Sequence, residues 1–93
     1  MNIQVTQAHI DRANRLKRNY LNGRNMNYSI RLMCPAALAC KEHFNEEILA
    51  GYDYIFFKFK NKMKILEGKE QITNFTLLRK VTPYTLVLEN ETV

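Results

Sequence analysis

The sequence predicts an α+β fold: one small domain, three helices packed on a small, mostly antiparallel sheet in the order β-α-α-β-β-α-β. Three observations carry this. Apolar and polar residues alternate around Ile3, again from Phe57 to Ile65, and again from Tyr84 to Leu88, the period of half-buried strands. Between those stretches the apolar residues fall at helical spacing and follow capping residues. The chain has 93 residues, below the roughly 100–200 typical of one domain, so a single sheet and a single core are expected.

A chain this short buries only about 60–65% of its unfolded surface. That leaves little room for an enclosed active site. Hydrophobic residues make up 46% and charged residues 25%, ordinary globular values that exclude collagen, coiled coil and long disorder as dominant themes. No apolar run approaches the ~20 residues of a membrane helix, and the first residues lack the apolar stretch of a secretory signal. A cytoplasmic protein with no membrane partner is expected.

Ile3 and Val5 alternate with Asn2 and Gln4 and mark a first strand. Thr6 is placed to cap a first helix from about Gln7, with Val5 and Ile10 as its hydrophobic staple. Ala8, Ala13, Leu16 and Tyr20 extend that helix to about Tyr20, unless it stops earlier. The stretch from Asn19 to Asn27 holds four Asn, a Gly and an Arg and reads as a loop. Cys34 precedes Pro35, which suits a first helical position. A second helix then runs from Pro35 to about Glu47, with Ala37, Cys40, Phe44 and Ile48 near one stripe.

Gly51 ends that segment, and the β region follows from Tyr52 to Leu66. Lys58, Lys60, Lys62 and Lys64 alternate there with Phe59, Met63 and Ile65. A two-residue turn would place Lys64 on the face of Phe59. A three-residue turn at 60–62 pairs Phe59 with Met63 and Phe57 with Ile65, keeps the apolar face intact and is preferred. It sets Lys58 opposite Lys64, a like-charge pair. Gly68 punctuates, and Ile72, Phe75 and Leu78 indicate a third helix from about Glu70 to Leu78. Pro83 excludes its continuation, and Tyr84, Leu86 and Leu88 form the last strand.

Three segments together resemble a family of small, largely uncharacterised phage and prophage proteins: VTQAHI from Val5 to Ile10, CPAALA from Cys34 to Ala39, and VTPYTLVL from Val81 to Leu88. The chain departs from that pattern between Arg12 and Met33, where its connection is longer and more basic, and it has Arg79-Lys80-Val81 in place of an Asp-Gly turn. The resemblance implies a phage accessory protein and carries no catalytic residues. By analogy of size and type, it implies an inhibitor of host machinery, with anti-CRISPR proteins the prominent group.

The net charge is +5 and is unevenly spread. Arg12, Arg15, Lys17, Arg18, Arg24, Arg31 and Lys41 fall in one stretch that contains no acid. Arg12, Arg15 and Arg18, spaced i, i+3, i+6, share one side of a helix. Arginine suits phosphate forks and stacking, and Tyr20 and Tyr28 lie in the same stretch, placed to stack on bases. These residues, with Lys58 and Lys60, are the expected partner or nucleic-acid surface. Set against that, a solvated basic face serves solubility alone. The lysine ladder is read first as a guard against edge-to-edge strand pairing.

Cys40 and His43 at i, i+3, with Cys34 and His9, match no standard zinc spacing. Cys34 at a helix start, with His9 as base, is the one nucleophile arrangement available, and a packed N-cap is the preferred reading of it. On one helix the two cysteines would lie ~9 Å apart along the axis, too far for a disulfide. The expected function is therefore a non-enzymatic inhibitor with no metal and no cofactor. It would bind a host ribonucleoprotein or nuclease complex of defence and block nucleic-acid engagement. The alternative is a small basic DNA- or RNA-binding regulator, and a cysteine or zinc enzyme ranks last.

Overall fold

The computed structural model describes residues 1–21, 30–57 and 62–90, and at 30 and 31 the backbone alone. Its elements are β1 (Asn2–Val5), α1 (Gln7–Leu21), α2 (Ile30–Met33), α3 (Pro35–Phe44), β2 (Ile48–Ala50), β3 (Tyr54–Phe57), β4 (Lys62–Glu67), α4 (Lys69–Thr76) and β5 (Tyr84–Asn90). The three expected helices are α1, α3 and α4. The one-turn α2 and the three-residue β2 are additions. The sheet has the order β1-β5-β4-β3-β2, and every neighbouring pair is antiparallel.

The start of α1 is a capping box with histidine in the usual Glu/Gln place. The Thr6 hydroxyl accepts from the His9 N–H at 3.5 Å, and the Thr6 N–H donates to His9 Nδ1 at 3.0 Å. Val5 and Ile10 are both buried, as a hydrophobic staple requires.

Helix α3 occupies the centre of the helical layer, packed on β1 and β2 and touching α1, α2 and α4. Its first six residues, Pro35 to Cys40, are all buried. A helix apolar on every side is an interior helix, and the small residues at 36, 37 and 39 let the sheet and α1 approach it closely. The expected stripe through Ile48 therefore needs correction. The helix ends at Phe44, where Asn45 takes a left-handed conformation (φ 54°) and donates its N–H to the Lys41 carbonyl. Asn tolerates that conformation better than most residues, and Ile48 is left to begin β2.

Ile3, Val5, Ile48, Ala50, Ile55, Met63, Ile65, Leu86 and Leu88 line the covered side of the sheet, and all are buried. The expected apolar face of the hairpin is correct, but its register is not. Ile55, not Phe59, pairs with Met63, and Tyr54, not Lys58, pairs with Lys64. Moving the partner by an even number of residues keeps each side chain on its face, so the error in register left the faces right. Phe57 is half-buried on that covered side, edge-to-face with Phe44 at 5.1 Å between centroids. Phe59, Lys60 and Asn61 lie outside the described residues, and Lys62, expected in the turn, already belongs to β4.

Candidate functional site

The basic residues of α1 divide by phase. Ile10 and Ala13 are buried and Leu16 and Tyr20 pack partly against the core, so they mark the inward stripe. Arg12, Arg15 and Arg18 each follow an inward residue by two positions. Two residues turn a helix by about 200°, and all three arginines are exposed. Of the ion pairs among the described residues, His9–Glu42, Lys41–Glu47 and Lys69–Asp53, none involves these arginines. Their forks are available to an outside anion.

Lys17 and Tyr20, expected on the same surface, face the fold instead. The Lys17 Nζ sits 4.0 Å from the centroid of the Phe75 ring, and burial there lowers its pKa. Tyr20 is half-buried against the core. Arg24, Tyr28, Lys58, Lys60 and the Arg31 side chain lie outside the described residues.

The lysine ladder takes a different role from the one expected. Lys62 and Lys64 are on β4, which pairs with β3 on one side and β5 on the other. An interior strand has no free edge to guard, so edge protection does not account for these two residues. They project instead from the side of the sheet that the helices leave uncovered. Beside them on β3 stand Tyr54 and Phe56, ring centroids 6.1 Å apart. Phe56 is opposite Lys62 and Tyr54 is opposite Lys64. This group was not singled out from the sequence. Its signal was the Tyr-x-Phe pair in phase with the later Lys-x-Lys pair, readable only once the register was known.

Cys34 is the N-cap of α3. Its Sγ accepts from the Ala37 N–H at 3.4 Å, and it is 1% exposed. Burial pushes its thiol up to about 11, the reverse of what an activated nucleophile needs. Cys40 is wholly buried, and burial, with a smaller push from Cys34, raises it to about 12. Neither cysteine is in a disulfide. His43 is exposed while Cys40 is buried, so the two do not converge. Among the described residues no three His, Cys, Asp or Glu side chains gather as metal ligands would. His9 spends its Nδ1 on the Thr6 N–H, which places its proton on Nε2, 3.2 Å from a Glu42 carboxylate oxygen. It is a clasp between α1 and α3.

At the β2 edge a cleft of about 510 Å³ is lined by Leu32, Glu47, Ile48, Leu49, Phe56 and Phe57. Its walls are apolar apart from Glu47, which suits contact more than acid–base chemistry. No helix among the described residues is long and apolar enough to cross a membrane. Comparison with family models, with curated proteins and with solved structures finds no match for this chain.

Proposed function

We propose that this protein works by binding: a phage-type inhibitor of the anti-CRISPR kind that occupies a nucleic-acid-handling defence complex of the host through the outer face of α1. The observation that carries the reading is Arg12, Arg15 and Arg18, exposed together and bound to no acid among the described residues. Arginine forks match phosphates and carboxylates alike. Such a face grips the nucleic acid that the complex carries, a guide RNA included, or an acidic surface beside it, and so blocks strand engagement; occlusion of this kind requires no catalytic group. About 800 Å² per partner suffices for a specific interface.

The phage resemblance supports the setting but does not bear on the surface. Its motifs are parts that hold the fold: the capping box of α1, the buried first half of α3, and the approach and core of β5. The displaced Cys34 chemistry favours binding over catalysis, because the thiol is sealed and spent as a cap.

The test is capture of target from host lysate by tagged protein, with and without nuclease, beside a variant carrying Arg15→Glu and Arg18→Glu. Retention of a ribonucleoprotein or nuclease complex by the parent and loss by the variant is expected. Strong binding to naked DNA or RNA, with a steep salt slope abolished by the same variant, would instead establish the direct regulator. Equal capture by parent and variant removes α1 from the mechanism.

A further inference from the structure

We infer that the uncovered face of the sheet is a stacking platform for single-stranded nucleic acid, centred on Phe56 and Tyr54 of β3 and Lys62 and Lys64 of β4. The inference deepens the nucleic-acid part of the reading above but rests on a different surface, in the other layer of the fold.

Sheet geometry creates the arrangement. Side chains alternate across a strand, so burying Ile55, Met63 and Ile65 against the helices forces Tyr54, Phe56, Lys62 and Lys64 to the opposite side. The antiparallel register then sets each ring opposite an ammonium: Phe56 with Lys62, Tyr54 with Lys64. The result is a two-by-two block, a column of two rings on β3 beside a column of two ammonium groups on β4. Phe56 stays 38% exposed, although one side of its ring also borders the β2-edge cleft beside Leu49 and Glu47. A large exposed ring on a central strand forfeits burial that an inward position would provide. Beside two lysines it has a chemical use. Bases stack on aromatic faces whatever their identity, while neighbouring cations hold the phosphates between them. Open antiparallel sheets bearing exposed aromatics use two or three such stacks.

Charge decides among possible occupants and sets the path. An apolar partner would strip water from Lys62 and Lys64 without compensation. A polyanion compensates both. Glu89 stands on β5 directly across from Lys64, so the favourable track follows β3 and β4 and stops short of β5. In the free protein Lys62 Nζ lies 4.2 Å from the Tyr54 ring centroid. A base arriving on Tyr54 replaces that cation–π contact with stacking and frees the ammonium for a phosphate. Gly51 leaves room for the Phe56 ring, since a Cβ there would come within 2.9 Å of it.

The experiment is fluorescence anisotropy with labelled oligothymidylate and oligouridylate of about 16 nucleotides, the upper end of single-fold site sizes, and with a duplex of the same length. The parent is expected to prefer single strands to the duplex. Phe56→Leu, which retains apolar bulk but removes the ring, is expected to weaken single-strand binding about tenfold, and Phe56→Tyr to restore it. Lys62→Gln with Lys64→Gln is expected to flatten the salt slope by about 0.7 for each phosphate that is no longer neutralised. Circular dichroism melts confirm that each variant is folded. The Arg15→Glu, Arg18→Glu variant retains single-strand binding if the platform is the site, so failure of the α1 reading and failure of this one give different patterns. No single-strand binding by the parent, equal binding by Phe56→Leu, or self-association through Phe56 in sedimentation each overturns the inference.

Discussion

His9 shows how one side chain is consumed by structure. Both ring nitrogens are engaged, one by the Thr6 N–H and one by Glu42, so its conspicuous place in the sequence reflects capping and clasping. Gln at the same position keeps the capping box, and His9→Gln is expected to hold stability within about 0.5 kcal/mol in urea unfolding. Thr6→Ala, which removes a cap oxygen, should cost about 1 kcal/mol in the same assay. Cys34 and Cys40 carry a pH signature. Folding raises their thiols from 9.0 to about 11 and about 12. The folded chain therefore retains protons that the unfolded chain releases above about pH 9. By linkage their contribution to stability is complete below that point and drains away as pH rises through 11 and 12. Burial pushes the Tyr84 phenol up too, with the same sign. Thermal melts should be flat in this respect from pH 6 to 8 and fall beyond pH 9, with native thiols slow to alkylate at pH 8. Rapid labelling of the folded protein would show that Cys34 is not sealed.

Helix α4 depends on its first turn. Gly68 precedes it at φ 106° with no side-chain cap, and an added Cβ would meet the Tyr84 ring at 2.9 Å and Leu86 at 3.0 Å. Strain and contact act together, so Gly68→Ala is expected to lose well over 1 kcal/mol in urea unfolding. A neutral substitution would mean that β5 yields easily. Aromatic positions rank by burial in the same way. Phe75 is 0% exposed, and Phe75→Ala should cost roughly 3–5 kcal/mol. Half-buried Phe57 should cost less, because its ring already borders a cleft. On α1 the direction of the side chains separates the proposed binding face from the packed one. Arg15→Glu with Arg18→Glu should change stability by no more than about 0.5 kcal/mol, since both residues are exposed. Lys17→Ala should cost more, because its stem and ammonium pack on Phe75.

The described residues form two layers, helices on one side of the sheet and no described helix on the other. The arginine face of α1 points away from the core that α1 packs on, and the Tyr54–Lys62 face lies on the side of the sheet opposite its buried residues. The two surfaces lie in different layers, so the stability effects of the α1 charge reversal and of Lys62→Gln with Lys64→Gln should add within about 0.3–0.5 kcal/mol. A larger coupling in denaturant titrations of the combined variant would show that the layers communicate. Arg12, Arg15 and Arg18 thus stand on one face and Lys62 and Lys64 on another, and on the two proposals salt should weaken binding at each independently.

Local chemistry was legible from the residues alone: the Thr6 cap with its Val5–Ile10 staple, the Pro35 start of α3 beneath Cys34, the strand periodicities, and the phase of Arg12, Arg15 and Arg18. Each depends on neighbours a few positions away, and backbone geometry fixes where those neighbours fall. Register, strand order and layer depended on the fold. A strand pattern repeats every two residues, so shifting the partner by four leaves the burial pattern unchanged, and only packing of the completed sheet selects Ile55 opposite Met63. The same packing made β4 an interior strand, turned Lys17 and Tyr20 toward the core, and brought Phe56 beside Lys62. Those placements come from contacts between residues distant in the chain, which no local spacing encodes.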